Sequence, residues 1–205
     1  MKIRLGMSPI SWSNDDLPQL GGETPLEVCL AETRQAGFTG TENGGKFPTE
    51  AGALKSVLDD HDLALVSGWY SGTIINNDLA AEIEQITPQL TLFRDVGAPV
   101  IVYGETYETV QNRQERPLAS RPKLADFDVA AYGRRLTALA EHCADFGVPL
   151  TFHHHMGTAV EHETEIDQLM NHTGEAVNLL LDTGHLLFAG GDNAAVIAKY
   201  GSRIN

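Results

Sequence analysis

Three consecutive histidines, His153–His155, follow directly after the apolar run Val148–Phe152. A second apolar run, Val177–Leu181, is followed at once by Asp182 and, three residues later, by His185. Neutral imidazole and carboxylate are the usual protein ligands of first-row divalent metals. The two segments therefore predict a metal site at the ends of two strands. A run of hydrogen-bonded polar residues at a strand end is the simpler alternative.

The spacing within these segments predicts which side chains share a face. Successive side chains of a strand point to opposite faces, so we expect His153 and His155 on one face and His154 on the other. Asp182 is the strongest candidate ligand, because a carboxylate after a buried strand is costly to desolvate unless it is paired or binds a metal. A cap for the following segment is its alternative role. His185 is only three residues after Asp182, so its side chain can lie at the same end of the strands.

Other candidate functional residues follow the remaining predicted strands. Glu42 and Lys46 are candidates for general acid and base chemistry, with ordinary loop charges as the alternative. Aromatic faces suit the C–H groups of a sugar, although aromatic side chains are equally compatible with a core position. The candidates for a polyol-binding pocket are Trp12, Trp69, Tyr103 and the neighbouring Glu105.

Two short motifs carry less weight. Residues 40–46 match the first positions of a phosphate-binding P-loop, but the next residue is Phe47, so the hydroxyl that would contact magnesium is missing. We interpret this segment as a strand end followed by a glycine turn. His162 and Glu163 begin a zinc-protease pattern, but Ile166 stands where the second histidine is required.

The composition opposes several classes of protein. The chain has 205 residues and a hydrophobic content of 42%, which is enough for one sizeable core. Its formal net charge of −14 opposes binding to nucleic acid or to an anionic membrane surface. No apolar run approaches membrane-spanning length, and the two cysteines lie in apolar helical patterns that indicate no disulfide framework. The N-terminus leads straight into a strand rather than a signal peptide, so we expect a cytoplasmic protein.

Hydrophobic patterning predicts short apolar strands that alternate with amphipathic helices. The predicted strands are Ile3–Ser11, Phe38–Glu42, Leu63–Trp69, Val100–Tyr103, Val148–His153 and Val177–Leu181. The predicted helices are Pro25–Ala36, Thr49–Asp60, Leu79–Val96, Asp128–Phe146, Val160–Met170 and Ala194–Tyr200. Thr24 is the expected N-cap of the first helix, and Pro88 is expected to kink its helix or mark a start. The polar segment Thr106–Lys123 is predicted to be a functional lid or a disordered loop.

Alternating strands and helices imply parallel strands, in either a doubly wound sheet or a (β/α)8 barrel. Candidate functional residues follow at least five strands, and a barrel collects residues from nearly every strand on one rim, so the barrel is favoured. A complete barrel needs eight strands and about 250 residues. We therefore predict a single α/β domain over residues 1–205, a (β/α)8 TIM barrel that lacks its last two β/α units.

Four segments resemble the inosose dehydratases, a branch of the xylose isomerase-like TIM barrel superfamily. The matching segments are Ser8–Asp16, Gly40–Pro48, His153–Thr158 and Leu181–His185. The resemblance extends along the whole chain. The Trp-Ser-Asn-Asp-Asp segment and the triple histidine are specific to this branch, whereas Asp-Thr-Gly-His is shared with sugar isomerases, epimerases and related endonucleases.

The resemblance implies a divalent metal held by Glu, Asp, His and Glu from strands five to eight. Asp182 matches the aspartate of strand six. His153 stands at the glutamate position of strand five, which puts that ligand in question, and His155 is its alternative. The last two ligand positions would lie beyond Asn205. The resemblance implies Mn2+ or Co2+ as the metal and adds glutathione as a candidate cofactor.

The implied reaction is the dehydration of 2-keto-myo-inositol (scyllo-inosose) to a diketone in myo-inositol catabolism. A metal would stabilise the enolate formed by proton abstraction, while Glu42, Lys46, His155 and His185 are unranked candidates for the acid and the base. A sugar isomerase or epimerase of the same superfamily and an inactive barrel fragment are the alternatives. We expect a small polyol or ketose as the partner, no nucleic acid and no membrane. The sequence leaves open whether the protein assembles into a homo-oligomer.

Overall fold

The computed structural model describes residues 3–205, and over this range six strands alternate with seven α-helices. The strands are β1 (Gly6–Met7), β2 (Gly40–Asn43), β3 (Ala64–Gly72), β4 (Ile101–Glu105), β5 (Leu150–His153) and β6 (Asn178–Leu180). The helices are α1 (Leu26–Gln35), α2 (Ala51–Asp60), α3 (Leu79–Val96), α4 (Val129–Asp145), α5 (Glu163–His172), α6 (Thr183–Phe188) and α7 (Asn193–Tyr200). No helix among the described residues is long and apolar enough to cross a membrane.

The six strands belong to one sheet in the order β1-β2-β3-β4-β5-β6. Gly6 pairs with Gly40 in the parallel ladder of β1 and β2. His153 pairs with Leu180 in the parallel ladder of β5 and β6. Neighbouring strands in chain order, joined by helical crossovers, are the arrangement of a (β/α)8 barrel. The predicted parallel α/β architecture is therefore confirmed.

The chain folds as two compact units. Unit 1 contains the described residues up to Trp69 together with Pro88–Ile101, and unit 2 contains Tyr70–Thr87 and Val102–Asn205. In unit 1 the fully buried side chains include Leu30, Leu54 and Phe93. In unit 2 they include Tyr103, Tyr132, Phe152 and Leu136. The single domain over residues 1–205 stays a prediction.

The first strand is much shorter than predicted. Only Gly6–Met7 forms a strand, and Pro9–Ser11 forms a 3-10 turn that begins after Ser8. Pro9 cannot donate a backbone hydrogen bond to a strand ladder, and the Ser8 hydroxyl accepts from the backbone N–H of Ile10 instead. The predicted strand Ile3–Ser11 is therefore wrong at both ends.

The predicted helices are found, with small changes at their ends. Helix α1 has Pro25 at its N-cap, so the prediction of Thr24 is wrong. Helix α4 begins after Asp128, whose side chain accepts from the backbone N–H of Ala131. Helix α3 runs continuously through Pro88, which therefore does not mark a helix start. The six-residue helix α6 was not predicted, because so short a segment shows no clear apolar period.

The long polar segment after β4 is ordered within unit 2. The buried guanidinium of Arg121 lies 3.1 Å from Glu161 and 2.9 Å from Glu165. The backbone N–H of Val110 donates to the carbonyl of Gly157, whose φ of +80° favours glycine. These contacts contradict the disordered-loop prediction, because the segment is held by a buried ion pair and backbone hydrogen bonds.

Candidate metal centre

Strands β5 and β6 bring the predicted metal ligands to one place in unit 2. Strand β5 is buried until it ends at His153, whose side chain is 15% exposed. His153 pairs with Leu180 of β6. Asp182 is therefore only two residues beyond the position in β6 that lies opposite His153. Helix α6 then begins at once and returns His185 to Asp182.

Three donor groups meet here: His153, Asp182 and His185. One nitrogen of each imidazole and one carboxylate oxygen all lie within 4.8 Å of one another. Asp182 Oδ2 is 3.4 Å from His153 Nε2 and 3.6 Å from His185 Nδ1. The buried Nδ1 atom of His185 has no hydrogen-bond partner in the part of the chain that the structure describes. This donor set fits a first-row divalent metal, and three protein ligands leave positions for oxygen ligands.

Asp182 also caps a helix. Its Oδ1 atom accepts a hydrogen bond from the backbone N–H of His185 at 2.7 Å, as an N-cap carboxylate does. The two alternatives weighed for Asp182 are therefore compatible, because one oxygen caps α6 while the other faces the imidazoles.

The protonation states at this centre suit metal binding. A hydrogen bond from His153 holds the pKa of Asp182 below its usual value. Burial lowers the pKa of His185, so this imidazole is neutral near pH 7. An ionised carboxylate and a neutral imidazole are the forms that coordinate a metal.

His154 supports the metal centre through a hydrogen bond to Asp182. It is fully buried, and its Nε2 atom accepts a hydrogen bond from the backbone N–H of Asp182 at 3.2 Å. Burial lowers its pKa to about 3, so it stays neutral and can accept this bond. The structure thus turns His154 away from the face that carries the other two histidines of the run.

His155 lies beside the donor group without belonging to it. Its ring centroid is 4.1 Å from that of His185 and 5.4 Å from that of His153. Its Nδ1 atom is 2.8 Å from the carbonyl oxygen of Met156. Because a carbonyl only accepts hydrogen bonds, this contact fixes the proton on Nδ1 and leaves the lone pair on Nε2. Burial lowers the pKa of His155 to about 4.

Glu42, Lys46 and Trp12 belong to unit 1, where local contacts engage each of them. Glu42 is the last but one residue of β2 and accepts a hydrogen bond from the hydroxyl of Ser67 at 2.8 Å. The indole N–H of Trp12 donates to the carboxylate of Glu32.

Lys46 makes hydrogen bonds to the loop that precedes α1. Its ammonium donates to the carbonyls of Gly21, Gly22 and Thr24. An ammonium group has three donors, so these bonds occupy its full capacity. We therefore revise the acid–base prediction for Lys46 to a structural role.

Tyr103 and Glu105 lie in the core of unit 2, with exposures of 0% and 1%. The Tyr103 hydroxyl is 3.3 Å from a carboxylate oxygen of Glu105 and 3.5 Å from one of Glu82. Burial raises the pKa of Glu105 to about 8. The predicted substrate contact is thus replaced by a buried polar network. Glu82 was missed because nothing local in a helical pattern marks a buried glutamate.

A family model described as xylose isomerase-like TIM barrel matches residues 30–205. The chain belongs to this family. The predicted fold class is thereby confirmed.

Two relatives are similar to nearly the whole of this chain. It is 52% identical over 204 residues to the rhizopine catabolism protein MocC of Rhizobium meliloti, covering 100% of this chain and 63% of MocC. It is 37% identical over 207 residues to an inosose dehydratase of Geobacillus thermodenitrificans, covering 99% of this chain and 69% of that enzyme. The resemblance to inosose dehydratases is confirmed, and the chain spans about two thirds of the length of these relatives.

Solved structures show the same fold at low sequence identity. A probable 3-DHS dehydratase, AsbF from Bacillus anthracis, has a TM-score of 0.72 and 16% identity, covering 99% of this chain and 71% of that structure. The IOLI protein with a bound zinc atom has a TM-score of 0.69 and 15% identity, covering 98% of this chain and 70% of that structure.

Proposed function

We propose that the protein is a metal-dependent hydro-lyase that dehydrates 2-keto-myo-inositol to a diketone. The observation that carries this proposal is the donor group of His153, Asp182 and His185 with the His155 imidazole beside it. The inosose dehydratase relatives support the substrate class. Imidazole and carboxylate donors support Mn2+ or Co2+ as the metal.

The proposed chemistry begins at the carbon next to the ketone. A bound divalent metal would polarise the ketone and stabilise negative charge on its oxygen. His155 Nε2 takes the proton from the neighbouring carbon, and the C–H electrons form a carbon–carbon double bond. The hydroxyl group on the next carbon leaves with the electrons of its C–O bond. His155 donates the proton to this leaving group, which departs as water. The resulting enol rearranges to the diketone.

Each residue of the centre has a distinct part in this scheme. His153, Asp182 and His185 would hold the metal, and the hydrogen bond from the backbone N–H of Asp182 to His154 Nε2 holds the backbone at Asp182 in place. The carbonyl of Met156 fixes the tautomer of His155 that can accept a proton. Glutathione, homo-oligomerisation and a cytoplasmic location stay predictions from the sequence.

The test combines metal binding with product formation. Chelator-treated protein is titrated with Mn2+ or Co2+ by calorimetry, and conversion of 2-keto-myo-inositol is followed by NMR. We expect stoichiometric binding and a diketone product. His185→Ala removes binding, His155→Gln keeps binding but loses turnover, and His172→Ala, an exposed histidine of α5, changes neither.

Two results would contradict the proposal. Turnover of a ketohexose without diketone formation would indicate an isomerase or epimerase. Absence of both metal binding and turnover would indicate an inactive barrel fragment.

A further inference from the structure

The chain segment that follows β5 forms a closed turn over residues 155–160, called here the His155 turn. The backbone N–H of His155 donates to the carbonyl of Val160 at 3.1 Å. The Thr158 hydroxyl donates to the carbonyl of His155 at 2.8 Å and accepts from the backbone N–H of Val160 at 3.3 Å. Thr158 is only 2% exposed, so water competes little for these bonds. One buried hydroxyl therefore joins the two ends of the turn.

Buried side chains hold the outer side of the His155 turn. The carbonyl of Gly157 accepts from the Thr109 hydroxyl at 2.8 Å, and its N–H donates to the carboxylate of Glu161 at 2.7 Å. The carbonyl of Thr158 accepts from the Arg121 guanidinium at 2.9 Å. Thr109, Arg121 and Glu161 are all buried. The segment after β4 and the residues before α5 therefore fix the backbone of the turn from outside.

The backbone of the turn determines where the His155 imidazole lies. Its Nδ1 atom is 2.8 Å from the carbonyl oxygen of Met156, and its ring centroid is 4.1 Å from that of His185. A shift of the turn would move both the ring and the carbonyl that selects its tautomer. The three donor residues of the metal centre lie outside this turn. The turn is therefore suited to place the imidazole without placing the metal ligands.

The residues between His155 and Ala159 each contribute to the geometry of this turn. Met156 supplies the carbonyl for the imidazole, and Thr158 supplies the closing hydroxyl. Gly157 has a φ of +80°, and a Cβ there would lie 3.0 Å from the backbone nitrogen of Gln111. The part of the triple-histidine segment that holds no metal donor is thus explained by the placement of one ring.

We propose that Thr158 is a positioning residue for the dehydration and that it acts through the backbone of His155. Its hydroxyl holds the imidazole beside His185, and Thr109 and Arg121 hold the turn in turn from the segment after β4. This inference rests on the proposed function, because it takes His155 as the base. It deepens that function by assigning the placement of the base to a buried residue that is not a metal ligand.

The test compares Thr158→Val with a matched loss of hydrogen bonds elsewhere in unit 2. The Thr137 hydroxyl donates to the carbonyl of Gly133 at 2.7 Å and accepts from the backbone N–H of Gly174 at 2.9 Å. Thr137→Val therefore removes the same two kinds of bond without touching the His155 turn. Turnover of 2-keto-myo-inositol, Mn2+ calorimetry and urea unfolding are measured for each variant.

We expect Thr158→Val to lower kcat by about tenfold to a hundredfold, because small misplacements of a catalytic group cost this much. KM and the Kd for Mn2+ should change by no more than about twofold, since the lost interaction serves the transition state. Thr158→Ser keeps the hydroxyl and should restore most of kcat. Thr137→Val should lose stability but keep kcat.

Thr109→Val is a milder variant that decides the case if Thr158→Val does not fold. The backbone N–H of Val110 still donates to the carbonyl of Gly157 in this variant, so we expect a smaller, severalfold fall in kcat. Imidazole 15N NMR of metal-free protein adds a readout that needs no turnover. Wild-type His155 should carry its proton on Nδ1, and Thr158→Val should give a mixture of the two tautomers.

Three results would overturn the positioning role. These are an unchanged kcat in both Thr158→Val and Thr109→Val, an equal loss of kcat in Thr137→Val, and a loss of Mn2+ affinity that matches the loss of kcat. If wild-type protein forms no diketone, the proposed function fails and the NMR comparison decides the positioning of His155 by itself. An unchanged tautomer in Thr158→Val would then overturn it, and a mixture would uphold it.

Discussion

Asp182 contacts His185 in two ways, because Oδ1 accepts from its backbone N–H at 2.7 Å and Oδ2 lies 3.6 Å from its Nδ1. One carboxylate thus starts a helix and completes a donor group. This arrangement makes the position of the imidazole depend on the same side chain that would share the metal with it.

The two roles of Asp182 can be separated by substitution. Asn is as good an N-cap as Asp, so Asp182→Asn should keep the free energy of unfolding and lose metal affinity. Asp182→Ala should lose metal affinity and also about 1 kcal/mol of stability. Urea unfolding of metal-free protein and Mn2+ calorimetry measure the two effects. Equal stabilities of the two variants would show that the cap contributes nothing.

The buried carboxyl of Glu105 should make stability depend on pH. Folded Glu105 keeps its proton up to about pH 8, whereas the unfolded residue loses it near 4.5. Between these values the folded state binds more protons, so the free energy of unfolding falls as the pH rises. Burial and the neighbouring Glu82 raise the pKa of Glu105, whereas hydrogen bonds from Tyr103 and from the backbone N–H groups of Ile75 and Tyr107 lower it. Arg135 bonds to nearby carbonyls.

Glu105→Gln removes this titration and should flatten the dependence, even if the variant is less stable at every pH. Unfolding by urea between about pH 5 and about pH 8 measures the slope. Glu84→Gln, an exposed position of α3, should keep the original slope. An unchanged slope in Glu105→Gln would contradict the prediction.

The ion pair that holds the segment after β4 should be important for stability. Arg121→Met leaves Glu161 and Glu165 without their buried partner, which should destabilise the fold by about 3–5 kcal/mol. Arg34→Met breaks the exposed pair with Asp62 and should cost no more than about 1 kcal/mol. Thermal and urea unfolding compare the variants, and similar losses in both would refute the argument.

Two glycines should respond to alanine in opposite directions. A Cβ at Gly72 would lie 2.0 Å from the ring of the buried Tyr103, so Gly72→Ala should destabilise by about 1–3 kcal/mol or more. A Cβ at Gly52 in α2 meets nothing closer than 3.6 Å, so Gly52→Ala should stabilise by about 0.5–1 kcal/mol. Urea midpoints of the single variants check both signs.

The elements and the strand-end ligands were predictable because their signals are local. Apolar runs and helical spacing predicted six strands and six of the seven helices. The ends of the runs before His153 and Asp182 predicted where the donors would be. Pro9 has no N–H to donate to a strand ladder, so the sequence already indicated that the first strand is shorter than predicted. Helix α6 was too short for a periodic signal, although Asp182 followed three residues later by His185 fits an N-cap.

Sequence alone determined the alternation of strands and helices, the family resemblance, and the residue types at the ends of β5 and β6. Only the tertiary structure decided which contacts each candidate makes. Lys46 bonds to carbonyls more than 20 residues away, Tyr103 and Glu105 enter a core network with Glu82, and Asn43 lies in a pocket with Trp69. The physical reason is that hydrogen-bond partners and burial depend on segments distant in the chain, and local periodicity does not encode those contacts.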